Sequence, residues 1–270
     1  MVASSKVISL ADATGLVDDG ARLALGGVLL RRKPIAFLTA LADAGRRDLR
    51  LYAFLASLDV ELLVARGAVA EVHAGYVGFE QLGFAPAFGR AVASGEVRAF
   101  EYSELLFVTG LRASVAGLPF LPTRGARGSD LVAELGIEEV TCPYTGERLL
   151  AAPAIRPDVC VIHAEAADEQ GNVMAPSTRD FLFDSDATLA RAAERVIVTA
   201  ERIVPSAEIR DGEALLFSME VDAVVELPQG AWPTGLPGLY GADIDAVRTY
   251  LAAAESDAGA AALALAGARP

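Results

Sequence analysis

The chain contains 270 residues, 53% of them hydrophobic, with 36 acidic against 23 basic side chains and a formal charge of -13. Such an acidic chain is a poor partner for nucleic acid, because phosphate backbones attract basic surfaces. The mean hydropathy is +0.38, yet no stretch reaches the roughly 18 consecutive apolar residues of a membrane span, and the amino end has no basic segment followed by an apolar core. We therefore predict a cytoplasmic protein that binds neither nucleic acid nor membrane.

Strands and helices alternate along most of the chain. Apolar runs and turn residues predict these elements in order: helix 9–18, strand 22–25, helix 35–45, strand 49–55, helix 59–67, strand 69–74, helix 84–94, strand 97–100, helix 105–117, strand 120–121, strand 148–152, strand 159–162, helix 187–194, strand 195–199 and helix 244–251. The alternation predicts an α/β fold, with a single open, mainly parallel sheet and helices on both faces. No linker divides the chain, so we predict one domain over residues 1–270, ending in an alanine-rich tail at about 251–270.

A glycine pair and a basic tripeptide follow the first predicted strand. Gly26 and Gly27 end the strand, and Arg31, Arg32 and Lys33 precede the next helix. Backbone can approach a ligand closely at glycine, and a helix N-terminus attracts an anion. The pattern predicts an anion site. A plain turn carrying three solvated cations is the alternative interpretation.

Other polar residues sit at predicted strand ends. Ser57 follows the second strand, where it can donate to a ligand or cap the next helix. The segment 75–88 is rich in glycine and aromatic residues, which is typical of a loop shaped around a ligand or packed against the chain's own helices. Glu101 and Glu104 follow the fourth strand, as a candidate acid, base or nucleophile, or as a surface ion pair or helix cap.

The apolar run at 159–162 predicts a central strand, because a run without polar alternation is buried on both faces. His163 and Glu165 follow it in a predicted polar loop, at the sheet edge where open α/β proteins bind ligands. A satisfied core imidazole is the commoner use of such a histidine. Cys142 and Cys160 are too few for a disulfide framework, so we predict reduced thiols.

The sequence lacks the motifs that would by themselves indicate a catalytic, cofactor or metal site. It contains no phosphate-binding P-loop, no nucleophile elbow and no complete dinucleotide-binding glycine motif. A serine triad would need His73 or His163, and the cysteines have no convincing zinc-ligand spacing. We predict no metal site.

Taken together, several motifs resemble the α subunit of family I CoA-transferases, in particular the glutaconate type. The resemblance covers about residues 19–204 in family order, through GG at 26–27, RRKP at 31–34, Ser57-x-Asp59, AGYVGFEQLGFAPAF at 74–88, EYS at 101–103, LPFLPTR at 118–124, the stretch 140–173 and RVIVTAERIV at 195–204.

The resemblance implies a heteromer with a β subunit of the same fold, as α2β2 or α4β4, and an active site between the two chains. A glutamate of the β subunit would attack the thioester, so CoA esters would be substrates and no cofactor would be tightly bound. The present chain would supply the pocket, with Glu101 and Glu104 as weak candidates for a catalytic carboxylate. The implied substrate-binding residues are Gly26, Gly27, Arg31, Arg32, Ser57, Gly75, Tyr76 and Gly78.

The leading hypothesis is a transferase acting on a short dicarboxylic, glutaconyl-type acyl-CoA. Val28, Leu29 and Leu30 depart from the usual residues after the glycine pair and suggest a branched or bulkier acyl group. Decarboxylation of 3-methylglutaconyl-CoA towards isovaleryl-CoA is the alternative within the family. The acyl-CoA hydrolase of steroid ring degradation ranks third, because it resembles this chain at RRKP and at Glu104 but differs in the GYVGFEQLG loop. A non-catalytic ligand-binding protein is the alternative of a different class.

Overall fold

The computed structural model describes residues 4–209 and 213–269. Labelled in chain order, the strands are β1 Arg22–Leu25, β2 Leu49–Ala56, β3 Val69–Val77, β4 Arg98–Glu101, β5 Phe120–Thr123, β6 Glu139–Thr141, β7 Arg148–Pro153, β8 Val159–Ala167, β9 Val173–Met174, β10 Arg195–Ile203, β11 Ala214–Leu216 and β12 Ala223–Glu226. The helices are α1 Leu10–Gly15, α2 Ile35–Asp43, α3 Leu58–Ala65, α4 Pro86–Ser94, α5 Glu104–Val115, α6 Leu131–Glu134, α7 Ser185–Ala192, α8 Ile244–Ala254 and α9 Ala258–Gly267, with short 3-10 turns at Glu80–Leu82, Ser206–Glu208 and Ser218–Glu220.

The main sheet is open and mainly parallel, as the alternating pattern predicted. Its parallel strands follow the order β12-β10-β8-β1-β2-β3-β4. Two short antiparallel strands extend it, since β9 pairs with β8 and β11 pairs with β9. The strand order runs one way from β1 to β4 and the other way from β8 to β12. The junction of β1 and β8 is therefore the switch point of the sheet, outside which α/β proteins place their ligands.

Helices cover both faces of this sheet. On one face Leu23 and Leu25 of β1 pack with side chains of α2, α3, α4, α8 and α9. On the other face Ala24 joins a second core with Phe107 and Leu111 of α5 and residues of α7. The fold class expected from the sequence is confirmed.

The central strand β8 is longer than its apolar run. All nine residues from Val159 to Ala167 are buried. His163 and Glu165 therefore lie inside the strand, and their assignment to a loop was wrong. Their polar groups find hydrogen-bond partners on neighbouring segments, His163 with Thr199 and Glu165 with Ser177. Such partners allow polar residues in a strand that is covered on both faces. Cys160 in the same strand is a buried free thiol, as predicted.

A second sheet was not predicted. Strands β5, β7 and β6 form a separate antiparallel sheet, in which Phe120 pairs with Pro153 and Val140 with Leu149. It packs on α5 through a small apolar cluster that contains Leu106 and Leu150. The sequence predicted two of these strands, but strand patterns do not say which sheet a strand joins.

The ends of the chain pack on the main domain. The extended segment around Val7 pairs with Val224, which covers the outer edge of β12. The predicted alanine-rich tail forms α9, which packs on α8 and α3 after a turn that ends α8 at Ala254. In the part of the chain that is described, no helix has the length and apolar content to traverse a bilayer.

Candidate functional site

A cleft opens where the loops after several parallel strands converge. The loop after β1 contributes Leu30 and Arg31, and the turn after β3 contributes the 3-10 segment Glu80–Leu82. The long segment after β12 closes the third side. The lining residues are Leu30, Arg31, Phe79, Glu80, Gln81, Leu82, Gly235, Pro237, Tyr240, Gly241, Ala242 and Ile244. These loops all follow the carboxyl ends of strands, where the sequence placed the ligand site.

The loop from 26 to 33 has a tight and strained backbone. Val28 and Arg31 exchange two backbone hydrogen bonds, at 3.0 and 2.9 Å. Gly27 has φ +75, and a Cβ there would run into the backbone of Arg31 and Arg32. Leu29 and Arg32 themselves have φ values of 50 and 57, which are unfavourable for side chains larger than glycine. The surrounding structure must therefore hold this loop in place.

Lys33 helps to hold the 26–33 loop in this conformation. Its side chain is completely buried, and its Nζ lies 2.7 Å from Oδ2 of Asp59, which is buried as well. The same ammonium donates hydrogen bonds to the carbonyl oxygens of Gly27 and Leu55, both at 3.0 Å. Lys33 thus ties the glycine turn to the end of β2 and the start of α3. Its interpretation as a solvated cation was wrong.

Ser57 stabilises the same loop through a hydrogen bond to Leu29. Its hydroxyl donates to the carbonyl oxygen of Leu29, and its backbone N–H donates to Asp59 at 2.7 Å. The residue is fully buried and its side chain makes no capping bond to α3. Neither the predicted helix cap nor a predicted donor facing substrate describes this hydroxyl in the structure.

The two arginines differ in surroundings. Arg32 is 2% exposed, and its Nε donates to Asp186 at 3.2 Å. The rest of its guanidinium contacts Asp180 and the carbonyl oxygen of Leu182. Arg31 has a side chain 39% exposed at the cleft. The structure therefore moves the anion-binding expectation from Arg32, whose donors are used within the chain, to Arg31.

Asp186 also fixes the glycine pair. Its Oδ1 accepts a hydrogen bond from the N–H of Gly27 at 2.7 Å, while its Oδ2 accepts from Arg32. Gly26 has no room for a side chain, because a Cβ there would meet Ile162 at 2.7 Å. Gly26 therefore allows close packing between the end of β1 and β8.

The remaining predicted residues surround a neighbouring groove. Gly75 and Tyr76 lie within β3 rather than in a loop, and they line this groove with Phe88 and Glu101. Tyr76 is 39% exposed. Its hydroxyl accepts from the N–H of Glu80 at 3.1 Å, which connects the groove to the cleft.

Gly78 and two glutamates lie beside this groove. A Cβ at Gly78 would collide with the Tyr76 ring, so glycine is needed for the tyrosine to fold back. Glu101 and Glu104 are both exposed at the junction of β4 and α5. A Cβ at Gly75 would lie 3.8 Å from Cγ of Glu104, so that glutamate flanks the end of β3.

Nothing in the sequence indicated that Glu201 is part of the site, where this carboxylate binds the segment after β12 that closes the third side of the cleft. Glu201 of β10 accepts hydrogen bonds from the Tyr240 hydroxyl and, at 2.7 Å, from the N–H of Gln229. His163 lies 2.9 Å from the same carboxylate and 2.8 Å from Thr199, so it is the satisfied core imidazole that was expected.

The electrostatics of this group follow from burial and hydrogen bonding. Burial alone would raise the pKa of Glu201, but the hydrogen bonds from His163, Tyr240 and Gln229 outweigh it and lower the pKa below its ordinary value. Burial first, and then the hydrogen bond to Glu201, raise the pKa of Tyr240. The segment that carries Tyr240 is therefore fastened to β10 by an ionised carboxylate.

Asp180, Asp186 and Glu201 share one reason for having been missed. Each is the partner of a group more than a hundred residues away or on another strand, so no local pattern marks it. For Asp180 and Asp186, the signal that could have found them is the need for carboxylates to neutralise Arg32 once it is buried. Glu201 has no such signal, because its partners are His163, Tyr240 and the N–H of Gln229. Within residues 4–209 and 213–269, no group of three or more histidine, cysteine or acidic side chains could hold a metal ion.

The chain belongs to the coenzyme A transferase family, since the family model described as Coenzyme A transferase matches residues 7–227. An uncharacterized protein of Archaeoglobus fulgidus is 34% identical over 262 residues, and the match spans 58% of that protein's length. The cholesterol ring-cleaving hydrolase IpdA subunit of Rhodococcus jostii is 35% identical over 263 residues, which cover 93% of this chain and 88% of that subunit.

Two solved structures have the same fold. A variant of the decarboxylase AibA/AibB superimposes with a TM-score of 0.88 and 35% identity, covering 97% of this chain and 98% of that one. Glutaconate coenzyme A-transferase from Acidaminococcus fermentans superimposes with a TM-score of 0.89 and 29% identity, covering 96% of this chain and 87% of that one. The resemblance to the α subunit of family I CoA-transferases is confirmed, and the chain is a subunit of an enzyme of that class.

Proposed function

We propose that this chain is the α subunit of a heteromeric enzyme that transfers CoA between a short acyl group with a distal carboxylate and a second acid. The observation that carries the proposal is Arg31, a half-exposed cation at a cleft with apolar walls. A guanidinium binds a carboxylate through two parallel hydrogen bonds. Leu30, Leu82 and Ile244 suit the methylene or branched carbons between that carboxylate and the thioester.

The reactive carboxylate is expected on the β subunit. The Tyr240 hydroxyl at the cleft donates its hydrogen bond to Glu201. Among the described residues that line the cleft, no nucleophile stands beside a base. A glutamate from the partner would attack the thioester carbonyl and form an anhydride, releasing CoA as thiolate. The CoA thiolate would then attack the glutamyl carbonyl of this anhydride, which forms a glutamyl-CoA thioester and releases the first acyl group as its free carboxylate. The second acid would repeat these two steps in reverse and leave as its CoA ester, with the glutamate regenerated. This chain would contribute binding, while backbone donors stabilise the oxyanion. CoA esters are the substrates in this scheme, which needs no tightly bound cofactor.

The test is co-expression of this chain with a β subunit, followed by incubation with glutaconyl-CoA. Mass spectrometry should find a hydroxylamine-sensitive CoA adduct on a glutamate of the partner and none on this chain. Size measurement of the same complex decides between α2β2 and α4β4. Release of CO2 without an adduct would favour the decarboxylase alternative, which the similarity to AibA/AibB supports. A complex that turns over no acyl-CoA would contradict the proposal and favour a binding protein.

Hydrolysis is a second candidate because of Glu104. This carboxylate is exposed at the start of α5 and flanks the side-chain-free Gly75 at the end of β3. A carboxylate there could activate water against a substrate in the groove. The similarity to a ring-cleaving hydrolase subunit supports this candidate. Glu104→Gln would abolish hydrolysis but leave transfer by a partner glutamate nearly unchanged.

A further inference from the structure

Arg31 already has a carboxylate neighbour within the chain. Its Nε lies 3.6 Å from Oδ2 of Asp180, and its guanidinium stacks on Phe181 at 5.1 Å from the ring centroid. The other oxygen of Asp180, Oδ1, is engaged by Arg32. The segment between β9 and α7 thus reaches over the loop after β1 and contacts the cation that the cleft presents.

The contact with Arg31 is electrostatic rather than a hydrogen bond. A separation of 3.6 Å exceeds hydrogen-bond range, and Oδ2 of Asp180 is buried without a hydrogen-bond partner. Stacking on Phe181 orients the Arg31 guanidinium without help from that oxygen. Asp180 therefore acts on a ligand at Arg31 mainly through its charge.

Charge balance decides the direction of that effect. Two guanidinium groups, of Arg31 and Arg32, stand with two carboxylates, of Asp180 and Asp186. The cluster has no net charge, so an incoming carboxylate gains from Arg31 but is opposed by Asp180, whose side chain is only 14% exposed and weakly screened. A ligand without a distal carboxylate meets no such opposition.

We propose that Asp180 is a specificity-determining residue that competes with the distal carboxylate of the substrate for Arg31. The proposal rests on the proposed function of the cleft and adds a residue that limits affinity for carboxylate-bearing esters. It sets how strongly the enzyme prefers an acyl group with a terminal carboxylate over one with a terminal methyl group. Neutralising Asp180 should therefore strengthen that preference.

The experiment compares two CoA esters of equal chain length, glutaryl-CoA and pentanoyl-CoA, by calorimetric titration of the purified heteromer. Asp180→Asn keeps an acceptor for Arg32 while removing the charge. We expect it to bind glutaryl-CoA about two- to fivefold more tightly and pentanoyl-CoA unchanged. Asp184→Asn is the matched control, because it removes the same charge from an exposed position of the same segment, and it should change neither affinity.

A second variant, Asp180→Ser, keeps the test decisive if the asparagine variant does not assemble, and the same sign is expected. In the background of Arg31→Gln the effect of Asp180→Asn should vanish, because the two residues then no longer share a ligand. Equal changes for both esters, weaker glutaryl-CoA binding or no change would overturn the inference about Asp180. A wild-type heteromer that binds neither ester would overturn the proposed function as well, so the two failures are distinguishable.

Discussion

Single residues show where sequence reasoning reached its limit. The glycine pair at 26–27 and the basic residues at 31–33 predicted an anion site, with a plain turn carrying three solvated cations as the alternative. Which cations face solvent was not predictable, because Lys33 depends on Asp59 and Arg32 on Asp186, 154 positions along the chain. A run of basic residues has the same local pattern whether its counter-ions are solvent or buried carboxylates.

Lys33 offers a direct test of this buried pair. Lys33→Met should reduce the free energy of unfolding of the complex by about 3–5 kcal/mol, because Asp59 would remain buried without its cation. Chemical denaturation measures this loss. The exposed pair of Arg202 and Glu208 is the control, since Arg202→Met should cost no more than about 1 kcal/mol. Similar losses in the two variants would contradict the role given to the Lys33 pair.

The lowered pKa of Glu201 predicts that the stability of the folded state depends on pH. A carboxylate with a lowered pKa stabilises the folded state above its ordinary value of 4.5 and loses that contribution as the pH falls through the folded value. Glu201→Gln should cost about 1–3 kcal/mol at pH 7 through weaker hydrogen bonds to Tyr240 and Gln229.

Thermal melts of wild type and variant between pH 7 and pH 3 would measure the difference. The gap in melting temperature should be widest at neutral pH and close below about pH 4.5. A gap that stays constant with pH would contradict the ionised state of Glu201. Glu208→Gln is the control, because that glutamate is exposed.

At the scale of elements, periodicity and turn residues were sufficient for most strands and helices. The central position of β8 followed from its apolar run, and the open parallel sheet from the alternation. Polar residues within β8 and glycine within β3 concealed the last residues of both strands. These residues are stabilised by partners in other segments, which no local pattern shows. The small sheet of β5, β6 and β7 was missed for a similar reason, since pairing between strands is a tertiary property.

Two helical glycines test how elements pack. A Cβ at Gly110 of α5 would lie 2.8 Å from Ile155 and from the carbonyl oxygen of Pro153. Gly110→Ala should therefore destabilise the protein by about 1–3 kcal/mol. Gly89 of α4 has no neighbour within 4 Å of such a Cβ. Gly89→Ala should stabilise by about 0.5–1 kcal/mol, and equal effects in urea unfolding would refute the packing of α5 on 153–155.

At the scale of the molecule, the candidate site is an open surface rather than a closed pocket. Arg31 and Tyr76 are partly exposed at its rim, and Phe84, which follows the turn that lines the cleft, is 92% exposed. Aromatic side chains that protrude in this way are typical anchors of interfaces. The proposed sharing of the active site with a β subunit would account for such a rim.

Phe84→Ser should therefore weaken association with the β subunit by about tenfold or more, because an interface anchor contributes about 1–4 kcal/mol. Leu263→Ser is the control on helix α9, which contributes no residue to the lining of the cleft and where the Leu263 side chain is 56% exposed. Analytical ultracentrifugation of the co-expressed subunits would measure both. Unchanged association for Phe84→Ser would exclude this aromatic from the interface.

The position of β1 between β2 and β8 has a consequence for biosynthesis. Leu23 pairs with Leu51 on one side and with Val159 on the other. The chain must therefore be translated through Val159 before β1 acquires its second neighbour, and until then the nascent chain presents an apolar strand edge. We expect fragments that stop before Val159 to aggregate, which light scattering of a chain ending at residue 157 would detect, while a chain that extends through β8 closes that edge.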